Sequence, residues 1–321
     1  MLTVEWSGQL RNLGSTYRGR FAPSPTGSLH FGSLVSAVGS YLDARSHQGE
    51  WLLRMEDLDQ TREVKGAADE ILRTLDRFGF EWDGEVVYQS RLSARYADAL
   101  DRLLKEDFAY PCGCTRKEIN LAACKGIEGS VYPGTCSRVL RPGRQARAMR
   151  LRTFDTDVDF QDRIQGLGRQ NLARDIGDFV IRRADGYHAY QLAVVVDDAW
   201  QGIGQVVRGA DLLLSTPRQR YLQQLLGLAE PDYAHLPLAV DENHRKLSKQ
   251  YRAAPVERRN PMRALLQALE HLGQVLPPQR PTTLDEFWQW AISHWSIANV
   301  PRTITRQVGA SLKTQPLRGD I

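Results

Sequence analysis

The residues best equipped for chemistry lie in one run, Gly19-Arg20-Phe21-Ala22-Pro23-Ser24-Pro25-Thr26-Gly27-Ser28-Leu29-His30-Phe31-Gly32-Ser33. Two prolines, small hydroxylated residues and a histidine stand where an extended segment gives way to helical spacing at Leu34, Val35, Ala37, Val38, Tyr41 and Leu42. The free N–H groups of a helix start, with the positive end of its dipole, make an anion site, and phosphate is the obvious anion. Gly27 and Gly32 let a ligand approach the main chain, and a His30 ring N–H can donate to a phosphate oxygen. The same residue types also cap helices, so the run alone leaves capping and phosphate binding open. A distant element, Lys246-Leu247-Ser248-Lys249-Gln250, tips the balance toward phosphate by adding two lysines on a polar loop.

Sulfur chemistry is confined to a second segment. All four cysteines fall between Cys112 and Cys136, which in a reducing compartment argues for metal before disulfide. Cys112-Gly113-Cys114 is a tight pair, Cys124 and Cys136 follow, and tetrahedral zinc held by thiolates is the natural expectation. Next to it Arg138, Arg141, Arg144, Arg147, Arg150 and Arg152 occur with no acid among them. Pro142 and Gly143 interrupt the stretch, so it is expected to be a solvated loop leading into a strand, with contact to nucleic-acid phosphates as the alternative.

The elements that must position these residues alternate. A strand-like run, Trp51-Leu52-Leu53-Arg54-Met55, follows the first helix and ends in Glu56-Asp57-Leu58-Asp59, where open parallel sheets present their ligand crevice. Helical spacing recurs at Ile71, Leu72, Leu75, Phe78 and at Leu92, Tyr96, Leu100, Leu103, Leu104. The cysteine segment interrupts this alternation as an insertion. A buried strand is expected at Leu192-Ala193-Val194-Val195-Val196, with Asp197-Asp198 and a loop through Val206-Val207-Arg208-Gly209-Ala210-Asp211 beyond it, and a helix from Thr216-Pro217. Met262, Leu265, Leu266, Leu269, Leu272 and then Leu284, Phe287, Trp288, Ala291, Ile292, Trp295 mark two amphipathic helices, the second with a Thr283…Glu286 capping box. The fold class is thus α/β, with a doubly wound parallel sheet, an insertion and a small C-terminal helical domain. The expected divisions are 1–109 and 190–240 for the two halves of the sheet domain, 110–189 for the insertion, and 241–321 for the lysine loop and helices.

At 321 residues the chain can bury a substantial core, and its net charge is only +4. No apolar stretch approaches the roughly 18 residues of a membrane span. The first sixteen residues lack the layout of a secretion signal, so a cytoplasmic location is expected.

GRFAPSPTGSLHFGS resembles the first signature of class I aminoacyl-tRNA synthetases, and KLSKQ resembles the second. RMEDLD, YQLAVVVDD and VVRGADLLLSTPRQ are similar to the glutamyl branch, so the resemblance runs in order from Tyr17 to Tyr251. The chain has no room for a large anticodon-binding region, and the short form with a cysteine cluster resembles the glutamyl-Q tRNA(Asp) synthetases. The resemblance implies a Rossmann-type sheet with a zinc-containing insertion. It implies activation of glutamate with ATP, without tRNA, and transfer to the queuosine of tRNA(Asp); Mg(2+) is expected with ATP on phosphate-charge grounds, with no dedicated ligand set evident. His30, Lys246 and Lys249 are then catalytic. Pro23, Gly27, His30, Gly32, Ser33 and Lys249 surround ATP, while Arg20, Phe21, Ala22, Pro23, Ser24, Glu56, Tyr190 and Arg208 bind glutamate. The family's metal cluster pairs Cys-x-Cys with Tyr-x-x-x-Cys, which maps onto Cys112, Cys114, Tyr132 and Cys136 and holds one structural zinc ion. On ligand chemistry alone Cys124 would be the better fourth donor. A monomer with no DNA or membrane partner is expected. Two other functions share these features: a truncated glutamyl-tRNA synthetase that charges an acceptor end, and a non-catalytic tRNA-binding module on the same fold.

Overall fold

Strand β1 (Arg18–Phe21) delivers the phosphate-type run to helix α1 (Phe31–Ser46), and β2 (Glu50–Met55) returns parallel to β1 with Arg20 opposite Leu52. This βαβ unit opens a computed structural model that describes residues 17–140, 143–247, 256 and 260–308. Helix α2 (Ala67–Arg77) leads to β3 (Val87–Tyr88), the third parallel strand, and then to α3 (Ser93–Lys105).

The cysteine segment follows as β4 (Ala109–Cys112), α4 (Arg116–Ala122), a small hairpin of β5 (Lys125–Gly126) and β6 (Gly129–Ser130), and β7 (Ala148–Leu151). Next come the hairpin of β8 (Asp157–Asp162) and β9 (Gly166–Asn171), the short α5 (Leu172–Asp175), and β10 (Phe179–Arg182), which completes the antiparallel sheet β10-β7-β4. Helix α6 (Tyr190–Gln201), β11 (Gln205–Gly209), α7 (Thr216–Leu225) and β12 (Asp232–Leu236) resume the parallel winding. Strand β11 runs beside β1, where the Gly204 amide donates to the Arg18 carbonyl at 3.1 Å, and β12 pairs in parallel with both β11 and β8. The chain then passes through β13 (Leu238–Val240), α8 (Pro261–His271), α9 (Leu284–Ser293) and β14 (Thr305–Gln307), which pairs in parallel with β13.

Each face of the parallel sheet buries its own core. On one side α1 packs Leu34, Val38 and Leu42 against Trp51, Leu53 and Met55, and helices α8 and α9 join that cluster through Leu265, Leu269, Phe287 and Trp288. On the other side α3, α6 and α7 share a core built around Leu103, Val195 and Leu222. The tryptophan stripe of α9 is therefore core, as its spacing implies, and the Trp288 indole N–H donates to the Phe78 carbonyl at 3.0 Å. The Thr283 hydroxyl accepts from the Glu286 amide at 3.2 Å, but the Glu286 carboxylate turns back to the Thr282 amide, so the expected box closes one residue earlier.

Two sequence expectations fail together. Leu192–Val196 is not a strand but the middle of α6, and Val206–Arg208 is not a loop but β11. A five-residue apolar run buried all round has no periodicity to separate helix from strand. The deciding feature is downstream, where Gly202 adopts φ 66° and ends the helix in the left-handed region. Among the described residues no helix is long and apolar enough to cross a membrane.

Because α9 shares the core of α1, Trp288→Ala should cost about 3–5 kcal/mol. Urea unfolding followed by circular dichroism should still show one transition, whereas two separated transitions would mark the C-terminal helices as an independent unit.

Candidate active site

At the carboxyl ends of β1, β2 and β11 the sheet opens into a cavity of about 490 Å³. Arg20 to Ser24 form one wall and His30 and Ser33 enter from the start of α1. Glu56 lies just past β2, Tyr190 begins α6, Arg208 ends β11, and Lys246 reaches in with Asp211. Eleven of the side chains expected from the sequence to bind substrate or act on it thus converge, although they come from five separate stretches of chain.

The floor is ionic and buried. Arg20 donates from Nε and Nη2 to the two oxygens of Asp198 at 3.1 and 3.3 Å. Arg54 donates to Asp198 at 2.7 Å and to the Gln201 side chain at 2.5 Å, and lies 3.8 Å from both Asp197 and Glu56. Tyr96 and Gln89 complete the shell of Asp197 at 2.9 and 2.7 Å. Burial alone would lower Arg54, but its three carboxylate neighbours outweigh that and raise it above its ordinary value. Burial likewise opposes ionisation of Asp198, yet Arg20 and Arg54 hold its carboxyl below the usual range. Glu56 is left at the edge: burial, only partly offset by Arg54 and Arg20, pushes its carboxyl up to about 7. Tyr190 is pushed up to about 12 by burial and by Glu56, so its hydroxyl stays a donor. Arg20 and Glu56 thus each pair first with other groups, not with one another. Of the acids after β2 only Glu56 faces the cavity, since Asp57 accepts from the Ser90 amide and hydroxyl, and Asp59 from Thr61 and Arg183.

Arg208 is treated differently. It is buried, and its hydrogen bonds all go to uncharged acceptors: His235 Nε2 at 3.0 Å, Gln219 at 2.8 Å, Thr216 at 3.0 Å and the Leu212 carbonyl at 3.3 Å. A guanidinium that has no carboxylate partner among the described residues, held at a cavity wall, is a seat for an anion.

At the other end His30 is the N-cap of α1, its Nδ1 accepting from the Ser33 amide at 3.2 Å. That bond leaves the neutral ring's proton on Nε2, beside the Ser33 hydroxyl at 3.0 Å. Gly27 has φ 134°, which favours glycine. Gly32 has another reason for its size: a Cβ there would lie 3.1 Å from the Leu247 carbonyl, so the lysine segment folds onto the helix start. Lys246 donates to Asp211 at 2.5 Å. Lys249, with Ser248 and Gln250, lies outside the described residues.

Within the insertion the stretch Cys112 to Cys136 builds a second site. The sulfurs of Cys112, Cys114 and Cys136 lie within 4.8 Å of one another and could hold a metal ion, while Cys124 is exposed and outside the group. The Tyr132 hydroxyl stands 3.4 and 3.5 Å from Cys112 and Cys114 and accepts from the Cys136 amide at 3.0 Å. Arg150 donates to the Cys112 sulfur at 3.3 Å and stacks on the Tyr132 ring. Arg152 bonds to Asp107 and Arg144 to Glu118, so half of the arginine run is structural.

Residues 16–263 match the model of the family described as tRNA synthetases class I (E and Q), catalytic domain. The chain is 59% identical over 285 residues to the glutamyl-Q tRNA(Asp) synthetase of Chromobacterium violaceum, covering 89% of this chain and 95% of that one. It is 58% identical over 294 residues to that of Dechloromonas aromatica, covering 90% and 97%. The chain belongs to the glutamyl-Q tRNA(Asp) synthetase family. The glutamate-tRNA synthetase of Elizabethkingia anophelis, at 23% identity, shares its fold with a TM-score of 0.76 over 92% of this chain and 68% of that one. This synthetase is accordingly a class I ligase with a parallel α/β sheet. Arg54, Asp197, Asp198, Gln219 and His235 went unassigned in its sequence, although an arginine inside the apolar run of β2 was a visible signal for the first.

The raised Glu56 fixes the sign of one pH effect. The folded state holds this proton more tightly than the unfolded state. Stability from this group is therefore lost as pH rises from the ordinary carboxylate range to about 7, and is constant above. Glu56→Gln should gain on the order of 2 kcal/mol over the parent at pH 8 relative to pH 5. Urea titrations at the two pH values measure the difference, and an unchanged gap would contradict the assignment.

Proposed function

We propose that this chain activates glutamate with ATP, without tRNA, and transfers the glutamyl group to the cyclopentenediol ring of queuosine at the wobble position of tRNA(Asp), as a cytoplasmic monomer. The observation that carries the reading is the polarity of the cavity: Arg208, with no carboxylate partner among the described residues, on one wall and Glu56, in excess over its cations, on another. Glutamate brings an ammonium for Glu56 and carboxylates for Arg208 and Arg20, and Tyr190 donates its hydroxyl. Phe21, Ala22, Pro23 and Ser24 line the path between these groups.

The α-carboxylate is already ionised at neutral pH, so its attack on the α-phosphate of ATP needs no general base. The oxygen forms a bond to phosphorus, pyrophosphate leaves, and catalysis consists of alignment and charge stabilisation. His30 Nε2–H, the start of α1 and Ser33 suit the phosphates, with Mg(2+) carried by the nucleotide. Lys246 and Lys249 are cations for the transition state, and the loss of one such donor costs about 3 kcal/mol of barrier. Glutamate-dependent exchange of pyrophosphate into ATP, run without tRNA, is the expected first activity. Charging should then require queuosine in tRNA(Asp), and equal charging of tRNA lacking it would favour a truncated glutamyl-tRNA synthetase instead.

The donor set of the insertion supports zinc. Tetrahedral bonds of about 2.0–2.3 Å separate ligand atoms by roughly 3.5–3.8 Å; the Cys114 and Cys136 sulfurs at 3.5 Å, and the Tyr132 oxygen at 3.4 and 3.5 Å from Cys112 and Cys114, stand close to that spacing, and all three sulfurs lie within 4.8 Å of one another. Bound zinc would supply structural cross-linking of β4 to the loop that carries Tyr132 and Cys136. Elemental analysis should find one zinc per chain. Cys136→Ala should lose it and lower the melting midpoint, Tyr132→Phe should release it faster to a chelator, and Cys124→Ser should match the parent. Zinc loss in the Cys124 variant would reverse the choice of fourth ligand.

A further inference from the structure

Of the groups that hold Arg208, His235 is the one whose own orientation depends on a further residue, Asp162. His235 on β12 stands opposite Arg208 on β11, and Asp162, at the end of β8, pairs with Tyr233 on the same strand as His235. Both side chains are fully buried. Asp162 Oδ1 accepts the amides of Ile164, Gln165 and His235 at 3.0, 2.8 and 3.2 Å, and Oδ2 faces His235 Nδ1 at 2.5 Å. An Nδ1–H committed to a carboxylate leaves a lone pair on Nε2, and that atom accepts the Arg208 Nε–H.

The alternatives are costly. With its proton on Nε2 the ring would aim N–H at N–H, and as a cation it would face a guanidinium. Burial, with Arg208 adding to it against the pull of Asp162 and Asp211, pushes His235 down to about 4, so the ring is neutral. Burial pushes Asp162 up, but His235 and the two loop amides outweigh it and keep the carboxyl below its ordinary range.

We propose that Asp162 and His235 are positioning residues for substrate recognition: the Asp162 carboxylate sets the His235 tautomer, and His235 Nε2 holds the Arg208 guanidinium toward the cavity to receive a carboxylate. This rests on the reading of Arg208 as a glutamate ligand. It adds two specificity-determining residues that never touch the substrate.

Asp162→Asn tests the tautomer. The three amides retain the side-chain oxygen, so the new NH2 group faces Nδ1 and drives the ring proton to Nε2, against Arg208. In glutamate-dependent pyrophosphate exchange with the full-length protein, the KM for glutamate should rise roughly 10- to 100-fold while the KM for ATP is unchanged. His235→Leu should do the same, and neither should add to the defect of Arg208→Ala when combined with it. If Arg208→Ala itself leaves the glutamate KM unaltered, the ligand reading fails. If Arg208→Ala raises it and Asp162→Asn does not, the positioning role is overturned. Nitrogen-15 NMR of histidine-labelled parent protein decides the tautomer even if the variants do not fold: a neutral ring protonated at Nδ1 supports the proposal, and protonation at Nε2 refutes it.

Discussion

Two guanidinium groups from neighbouring strands, Arg20 and Arg54, meet two successive carboxylates of one helix, Asp197 and Asp198, and the site depends on that pairing. Arg20 and Arg54 project from the same face of β1 and β2, because Arg20 is in register with Leu52 and Arg54 lies two residues on. Helix α6 is therefore bolted to the sheet by charge as well as by its apolar residues. Its first residue, Tyr190, is carried to the cavity, and Glu56 follows from the end of β2. Removing one partner of such a cluster leaves an uncompensated buried charge, a cost of several kcal/mol, so the geometry is defended even without substrate.

The cluster also explains how one cavity can have two poles. Two arginines serve three carboxylates, and the surplus falls on Glu56, which holds a proton up to about neutral pH. Arg208 inverts the pattern, a cation among hydroxyl, amide, carbonyl and neutral imidazole. Glutamate, bound as proposed, would complete both at once, its ammonium at Glu56 and a carboxylate at Arg208. The same economy appears at His30, whose two ring nitrogens serve different groups: Nδ1 caps the helix through the Ser33 amide, and Nε2 lies beside the Ser33 hydroxyl at the cavity wall.

Much of this was legible in the residues. The turn from β1 into α1, the acid beyond β2 and the Cys112, Cys114, Cys136 group could be read because local spacing and residue type are enough for each. Leu192–Val196 could not, since a segment apolar on every side looks the same as helix or strand until its cap is known. Asp198, Asp162 and His235 were illegible for another reason. Asp162 and His235 are brought to Arg208 by strand register and Asp198 to Arg20 by the packing of α6 on the sheet, contacts between distant stretches of chain that no local pattern reports. The Cys124 thiol shows the converse, a residue type suited to a role that the fold leaves outside.

The close approach of Leu247 to Gly32 couples two segments that lie far apart in the chain. A methyl group at position 32 would press on a backbone carbonyl, which has no rotamer to escape into. The start of the first helix and the path of the lysine segment are thus sterically tied. Enlarging residue 32 would require the Leu247 carbonyl to give way by a few tenths of an ångström, and with it the backbone that carries Lys246 into the cavity.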